Sequence, residues 1–235
     1  MRLIVIPGVL NPPSDADLLV DTMYELGVAE GADVLDVFTG SGVLALGAAA
    51  AGARNVTAID IARRACLNAR LNSRLHRARV RVLRGDMFEA VAGERFDLIV
   101  ANPPYVPGGC DEAPRGVARA WEGGSDGRAL VDPFCARVAR HLRPGGSLLL
   151  VHSSLTGESA TTAALTAAGL DVRVAARARG GFGPIVAARQ PELEAAGHLR
   201  AGEQTEELIV FHAMNPESRP DNVSAVMVDG GRRDR

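Results

Sequence analysis

The sequence predicts a doubly wound α/β fold, in which helices cover both faces of a mostly parallel sheet. Short apolar segments alternate with helical segments along the chain, which is the order typical of a parallel sheet. Runs such as residues 148–151 are apolar at every position, as expected for strands buried on both faces. The 235 residues suffice for one large domain, and no repeat or linker divides them.

The first half of the chain supplies four of the predicted strands. Ser14 and Asp17 form a capping box, which predicts a helix over residues 15–26 that ends at Gly27. Strands are expected at 34–38, 56–59, 80–83 and 96–101, and helices follow the first two, to about residue 51 and about residue 73.

The second half supplies three more strands. A loop rich in glycine and proline is expected over 106–127, then a helix over 128–141 that ends at the Arg-Pro-Gly-Gly run 143–146. Strands at 147–152, 171–176 and 207–213, with a helix at 157–168, complete a seven-stranded sheet. We expect residues 1–213 to form one domain and 214–235 a mobile tail, with 223–228 as an alternative edge strand.

Composition argues against several functional classes. The net charge of −2 gives no strong indication of nucleic-acid binding. Cys66, Cys110 and Cys135 form no C-x-x-C pair, so neither a disulfide framework nor a metal site is predicted. The apolar start is too short for a signal peptide, and no apolar run reaches membrane-spanning length. We therefore expect a cytoplasmic protein that does not contact membranes.

The segment Asn102-Pro103-Pro104-Tyr105 directly follows the fourth predicted strand and is the main candidate for catalysis. Each proline fixes its own φ and favours an extended residue before it, so the backbone carbonyls here are not used by a helix. The Asn102 side-chain oxygen is a second neutral acceptor. Two such acceptors can hold both hydrogens of a planar NH₂ group, and Tyr105 adds an aromatic face.

Acidic residues and glycines follow the first three strands. Asp36 precedes a turn with Gly40 and Gly42, Asp60 ends the second strand, and Asp86 follows the third. Ligands of open α/β sheets bind beyond the carboxyl ends of the strands. Asp60 suits two ribose hydroxyls and Asp86 an adenine amino group, so the set predicts a cofactor that contains adenosine. Taken singly, each has a simpler explanation as a turn or capping residue.

Two cofactors compete for this loop. Gly40, Gly42 and Ala45 fit the dinucleotide fingerprint, with Asp60 near the expected distance, so a nicotinamide-dependent dehydrogenase is one alternative. Asp36 would repel a pyrophosphate but suits the cationic amino group of a methionine moiety. The Asn-Pro-Pro-Tyr segment has no role in hydride transfer, and S-adenosylmethionine fits both facts.

These motifs resemble the class I S-adenosylmethionine-dependent methyltransferases, and among them the HemK-like protein-glutamine N5-methyltransferases. The resemblance covers roughly residues 8–213 and implies a Rossmann-like fold. It is carried by residues 34–42, Asp60, residues 85–86 and 102–107, the segment 120–127, and an N-terminal pattern through Val9, Pro12, Asp15 and Leu19.

The resemblance also implies a set of site residues. The catalytic segment is Asn102, Pro103, Pro104 and Tyr105. The implied cofactor contacts are Asp15, Asp36, Phe38, Thr39, Gly40, Gly42, Asp60, Ile61, Asp86, Met87 and Asn102. The implied substrate pocket contains Leu10, Trp121, Gly123 and Gly124.

The implied partners are a protein substrate, such as a translation release factor, and a small activator subunit. Phe38, Leu10 and Ala16 depart from the residues usual in the family, where a glycine, a tyrosine and a threonine are expected. Phe38 either crowds the cofactor or packs beneath it. Other readings are a methyltransferase of an exocyclic amine in RNA, DNA or a small metabolite, and a non-catalytic scaffold.

Overall fold

The computed structural model describes residues 1–10, 14–108, 118 and 120–216. Pro12, Cys110, residues 217–235 of the predicted tail and, within them, the alternative strand at 223–228 lie outside the described residues, as does the side chain of the predicted cap Ser14. The tail was predicted to begin at residue 214, which was wrong for Met214, since it ends the last described strand of the sheet. None of the helices in the described ranges has the length and apolar character that spanning a bilayer requires.

Seven helices and seven strands make up the described fold. The helices are α1 (Ser14–Leu26), α2 (Val43–Ala50), α3 (Arg63–Leu75), α4 (Val131–Val138), α5 (Glu158–Ala167), α6 (Pro184–Ala188) and α7 (Gln190–Ala195). The strands are β1 (Asp33–Val37), β2 (Asn55–Asp60), β3 (Val80–Arg84), β4 (Phe96–Ala101), β5 (Leu142–Ser153), β6 (Asp171–Gly181) and β7 (Thr205–Met214). Short 3₁₀ turns occupy Glu89–Val91, Ala139–His141 and Ser154–Thr156.

The strands form one sheet in the order β3-β2-β1-β4-β5-β7-β6. Strands β1 to β5 pair in parallel, and β7 pairs antiparallel with both β5 and β6. The mostly parallel, seven-stranded, Rossmann-like sheet predicted from the sequence is therefore confirmed.

Alternate residues of the central strands pack into two separate cores. Leu98 and Val100 of β4 join a cluster with Leu19 and Met23 of α1 on one face of the sheet. Ile99 of β4 joins the opposite cluster, which contains Phe134 of α4 and Leu165 of α5. Because both faces of β4 are buried, its sequence is apolar at nearly every position, as the doubly wound prediction required.

Several predicted boundaries around the later elements were wrong. Residues 142–146 were assigned to a helix end and a turn, but they begin β5, where Leu142 pairs with Phe96. Asn215 holds this segment, since its backbone exchanges hydrogen bonds with Gly145 and Gly146 and its amide donates to Leu142 and Arg143 carbonyls. The predicted helix 128–141 is accordingly shorter.

The chain between β6 and β7 also differs from the prediction. Strand β6 runs to Gly181, because its pairing with β7 continues as far as Gly181 and Thr205. Helices α6 and α7 follow it and were not predicted. Both are short, at five and six residues, so they carry too little apolar periodicity to be recognised by pattern.

The first residues of the chain lie along α3, held by polar side chains four positions apart. The Asn72 and Asn68 side-chain oxygens accept hydrogen bonds from the backbone N–H groups of Ile4 and Ile6, at 2.9 and 2.7 Å. Arg64 donates to the Pro7 carbonyl at 2.9 Å. This ladder places the residues before α1 next to the helix that follows β2.

Candidate functional site

The predicted catalytic segment begins where β4 ends, and its neighbours are set by strand pairing. Val37 of β1 pairs with Ala101 of β4 on one side and with Ile59 of β2 on the other. Phe38, Asp60 and Asn102 are the residues that follow these three partners. The sheet therefore brings the three predicted loop regions to one edge.

Asp15 on α1 contacts the predicted catalytic segment through Tyr105. The Tyr105 hydroxyl donates to Asp15 Oδ2 at 2.8 Å, and the nearby Asn102 side chain acts to lower the pKa of this carboxyl. Asp15 is only 2% exposed, and burial raises its pKa although both neighbours oppose the rise. Asn102 is half-buried, and its side-chain oxygen can act as an acceptor.

The Tyr105 ring is fixed on several sides. Burial and the nearby carboxylates of Asp15 and Glu206 raise the pKa of Tyr105 well above its usual value. The Thr156 hydroxyl donates to the Tyr105 carbonyl at 3.2 Å, and the ring of His152 lies 6.4 Å from the Tyr105 ring. Because the hydroxyl is engaged by Asp15, Tyr105 stays neutral and can present only its ring to a ligand.

His152 lies beneath this segment but has both ring nitrogens engaged. Its Nδ1 is 2.9 Å from the Ser153 carbonyl and its Nε2 is 2.8 Å from the Thr161 hydroxyl. Burial lowers the pKa of His152 to about 4, so the ring is neutral at pH 7. The histidine therefore packs beneath Tyr105 as a structural residue.

The predicted pocket residues Trp121, Gly123 and Gly124 lie against the catalytic segment. Val106 donates to the Trp121 carbonyl at 2.9 Å, Gly123 donates to the Val106 carbonyl at 2.9 Å, and Gly108 donates to the Gly124 carbonyl at 2.7 Å. The two chain segments thus run side by side and form a short β-bridge at Val106.

Gly127 allows its segment of backbone to come very close to the backbone of Tyr105. A Cβ atom there would lie 2.3 Å from the Tyr105 carbonyl oxygen, and its φ of +77° also favours glycine. Only glycine allows the two backbones to meet at this distance. Gly127, within the segment 120–127 that carries the resemblance, therefore has a packing reason.

Helix α7 and the residues around it complete the outer wall, which sequence reasoning missed. Arg189 donates to the Pro107 carbonyl at 2.6 Å, and its guanidinium lies 5.2 Å from the centre of the Trp121 ring. Val186 and Leu193 share a small apolar cluster with Val106. Proline in the first turn of both α6 and α7 was the available signal for helix starts here.

Asp36 is the central acid of the first loop. Its Oδ2 accepts from the Thr39 hydroxyl at 2.5 Å and from the Ala45 N–H at 3.0 Å. Its Oδ1 is buried, and no donor from the residues described bonds to it. Burial raises the pKa of Asp36 to about 7. A cation beside Oδ1 would favour the ionised form.

Phe38 occupies a backbone conformation that usually requires glycine. Its φ is +65°, and Gly40 and Gly42 in the same turn have φ of +52° and +88°. The Phe38 ring lies 5.9 Å from Phe134 and packs on the core beneath the sheet edge. Of the two predictions for this departure, the structure favours packing beneath the site.

Asp60 connects the first two loops. Its Oδ2 accepts from the Gly40 N–H at 3.0 Å and its Oδ1 accepts from the Ala62 N–H at 2.8 Å. The second bond is made to Ala62, which is itself the N-cap of α3 and carries no side-chain cap, so the alternative that Asp60 caps this helix was wrong.

The other predicted site residues vary in exposure. Asp86 and Ile61 are exposed, whereas Met87 is buried and its sulfur accepts from Arg137 at 3.2 Å. Leu10 is half-buried, and Ala16 is buried at the start of α1. Pro103 and Pro104 are buried beside the half-buried Asn102.

Comparisons with known proteins agree with this arrangement. A family model described as a methyltransferase small domain matches residues 14–119. A putative protein N5-glutamine methyltransferase of Methanocaldococcus jannaschii is 33% identical over 178 residues, which cover 75% of this chain and 88% of the relative. A release factor glutamine methyltransferase of Gloeobacter violaceus is 36% identical, over 71% of this chain and 61% of the relative. The chain thus spans about three fifths of that longer protein.

Solved structures show the same fold at lower identity. The Mtq2–Trm112 complex of E. cuniculi, described as responsible for methylation of the termination factor eRF1, superimposes with a TM-score of 0.63 at 22% identity, covering 88% of this chain and 99% of the other. A 16S rRNA N2 G1207 methyltransferase of T. thermophilus, solved with AdoMet and guanosine, has a TM-score of 0.59 at 22% identity, covering 91% and 46%.

Proposed function

Because the chain belongs to the family of protein N5-glutamine methyltransferases, we propose that it transfers a methyl group from S-adenosylmethionine to the side-chain amide nitrogen of a protein glutamine. One observation carries the proposal. The half-buried Asn102 directly follows β4, at the sheet edge it shares with the turn after β1 and with Asp60, and its side-chain oxygen can act as an acceptor there. Family membership also selects a methyltransferase over the dehydrogenase left open by the glycine turn.

Asn102 and Pro103 hold the substrate in this proposal. One hydrogen of the glutamine NH₂ group is donated to the Asn102 side-chain oxygen and the other to the Pro103 carbonyl. The two bonds fix the plane of the amide and favour pyramidalisation at nitrogen, so that its lone pair points to the reacting carbon. Positioning of this kind supplies much of the rate of an in-line displacement.

The proton that leaves needs no strong base. An amide that has gained a methyl group at nitrogen is acidic enough to lose a proton to water or to a nearby carbonyl. His152 is not required, because both its nitrogens are already hydrogen-bonded beneath the sheet edge. Tyr105 contributes its ring face, since its hydroxyl is bound to Asp15.

The first loop fits S-adenosylmethionine, which supplies an electrophilic methyl group on a sulfonium. The buried Oδ1 of Asp36, with no donor among the residues described, suits the amino group of the methionine part. Asp60 would accept the ribose hydroxyls, and Asp86 would meet the adenine amino group beside Ile61 and Met87. A Cβ at Gly40 would meet only one atom, 3.9 Å away, so this turn leaves room for a ligand.

We propose a translation release factor as the protein substrate, in line with the names of the longer relatives. The test is incubation of purified release factor with the purified chain and S-adenosylmethionine, followed by peptide mass spectrometry. The expected result is a one-methyl increment on a single glutamine, absent with Asn102→Ala. Methylation of free guanosine or adenosine but not of the release factor would overturn the substrate assignment.

A small activator subunit is the second proposed partner, because the similar Mtq2 fold was solved in complex with Trm112. Helix α3 exposes Leu67, Leu71 and Leu75, four residues apart, with 57%, 38% and 52% of their surface accessible. Such an apolar row is typical of a protein contact. We expect the isolated chain to methylate the release factor slowly, and full turnover by the chain alone would argue against an activator.

A further inference from the structure

Glu206, the second residue of β7, carries a buried carboxylate oxygen that the proposed mechanism does not use. Glu206 as a whole is 9% exposed. Oε1 accepts from the Gly183 N–H at 2.9 Å. Oε2 is buried, and across the described ranges no donor bonds to it.

The position of Glu206 places it at the functional edge of the sheet. Strand β7 runs antiparallel to β5, and Leu208 pairs with Ser153, the last residue of β5. Glu206 therefore lies beyond the carboxyl end of β5, on the same edge as Asn102. Its charge also contributes to the raised pKa of Tyr105, which places it within electrostatic reach of the catalytic segment.

The arginine side chains near Glu206 are engaged by other groups. Arg189 donates to the Pro107 carbonyl and to Glu192, and Arg177 pairs with Glu158 and Glu207. The Tyr105 hydroxyl donates to Asp15. A buried carboxylate oxygen without a donor is destabilising, so its presence at a ligand-binding edge indicates a donor that arrives with the ligand.

The number of vacant acceptors limits the kind of donor. A lysine brings three N–H donors and an arginine five, and one buried oxygen would leave most of them unsatisfied. A peptide N–H brings one. Glu206 already accepts a main-chain N–H through Oε1, and Oε2 can accept one further main-chain N–H.

We propose that Glu206 Oε2 accepts a main-chain N–H of the substrate peptide next to the target glutamine, and so acts as a specificity-determining residue. The inference rests on the proposed function, since it assumes a peptide substrate held by Asn102. In this proposal, Glu206 on β7 recognises the peptide backbone, whereas Asn102 and Pro103 recognise the side-chain amide.

The test compares Glu206→Gln with Glu207→Gln, the same change at the next residue, whose side chain forms an ion pair with Arg177. Glutamine at 206 still accepts from Gly183 but turns an NH₂ group, which cannot accept, toward the peptide. We expect the KM for release factor to rise about 10- to 100-fold, the loss typical of a hydrogen bond to a charged group. The kcat and the S-adenosylhomocysteine affinity should stay within about twofold, and Glu207→Gln should leave all three unchanged.

A second measurement changes the substrate instead of the enzyme. Synthetic substrate peptides carry an ester in place of one peptide bond on either side of the glutamine, which removes a single N–H. One ester should raise KM by the same factor in the wild type and have no further effect in Glu206→Gln. If every ester peptide keeps the wild-type KM, or if Glu206→Gln folds and keeps it, Glu206 only braces Gly183 and the inference is wrong. If the wild type methylates no glutamine, the proposed function itself fails.

Discussion

Two loop regions meet at one edge of the sheet, and they are assembled differently. The first region, residues 36–62, is built from nearby residues: Asp36 bonds Thr39 and Ala45, and Asp60 bonds Gly40, over separations of 3, 9 and 20 residues. The second region, residues 102–108 with 121–129 and 182–206, is built from distant ones. Tyr105 bonds Asp15 and Arg189 bonds Pro107, over 90 and 82 residues.

This difference has a functional counterpart. The first region is the proposed cofactor site. A cofactor is common to many proteins, and its binding site can be encoded in a short motif. The second region is the proposed substrate site, and its walls come from three separate parts of the chain. We therefore expect changes in the first region to alter cofactor affinity and changes in the second to alter turnover or the KM for protein.

The largest expected effect is in the second region, at Asn102. Asn102→Ala removes an oriented acceptor and should lower kcat by about 10²- to 10³-fold, as for other transition-state hydrogen bonds. The affinity for S-adenosylhomocysteine should fall much less. Steady-state methylation and calorimetry measure the two effects, with the exposed Asn55→Ala as the matched control. Turnover above about a tenth of wild type would contradict the proposed role.

Gly127 tests whether the close backbone contact shapes the second region. Alanine at Gly127 or at Gly93 must adopt a positive φ of +77° or +80°, which should lower the free energy of unfolding by about 1–2 kcal/mol in each variant. Only at 127 does the new methyl group meet the Tyr105 carbonyl, and there we expect a further loss of about 1–3 kcal/mol and reduced turnover. Equal losses in urea unfolding of the two variants would show that the contact is unimportant.

Asp60 tests the first region. Asp60→Ala should weaken S-adenosylhomocysteine binding by about 1.5–3 kcal/mol, the range for hydrogen bonds to a charged group, while the KM for release factor changes little. Calorimetry measures this, and Asp171→Ala, an exposed acid on β6, serves as the control. An unchanged cofactor affinity would remove Asp60 from the site.

Asp36 in the first region, and His152, which packs against Tyr105 of the second, have opposite effects on how stability depends on pH. The folded-state pKa of Asp36 is raised to about 7, so the native protein binds more protons than the unfolded chain between its ordinary value of 3.8 and about 7. Its contribution therefore falls by up to about 1.4 kcal/mol per unit as pH rises through that window. The pKa of His152 is lowered to about 4, so its contribution falls as pH drops from 6.5 toward 4.

The two contributions nearly cancel in the wild type between about pH 4 and 6.5. Asp36→Asn removes one of them and keeps an acceptor for Thr39. We expect the stability of wild type minus that of the variant to fall as pH rises from 5 to 7, by about 1.4 kcal/mol per unit in urea unfolding. A difference that is constant with pH would mean that Asp36 is ionised throughout.

The smallest expected effect lies on the outer wall of the second region. Arg189→Gln removes the cation–π contact with Trp121 and the bond to the Pro107 carbonyl, and should raise the KM for release factor about fivefold. The cofactor affinity should be unchanged. The control is Arg200→Gln, an exposed arginine after α7. A change in cofactor affinity instead of KM would break the proposed division between the regions.

Much of the first region could be predicted from the sequence because its bonds are local. The spacing of Asp36, Gly40, Gly42 and Asp60 reports a turn and the next strand end directly. The conformation of Phe38 could not be predicted, since a positive φ at phenylalanine depends on the core contact with Phe134. The double-sided burial of the strands likewise followed from their apolar runs.

In the second region, only the segments that carry a recognisable sequence motif were predicted. Asn102 to Tyr105 and the glycines near Trp121 were identified, but not what holds them. Asp15 was assigned to the cofactor, and the structure adds its hydrogen bond with Tyr105. Arg189 and Glu206 act through residues more than twenty positions away, and no local pattern reports such contacts.

The place of β7 in the sheet has a consequence for biosynthesis. It is the last of the described strands to leave the ribosome, yet it lies between β5 and β6, which have no pairing with each other. Until residues 205–214 emerge, both neighbours present bare strand edges that invite self-association. Nascent chains that stall before this point should be prone to aggregation, and the enzyme should gain activity only after residues 205–214 have been made.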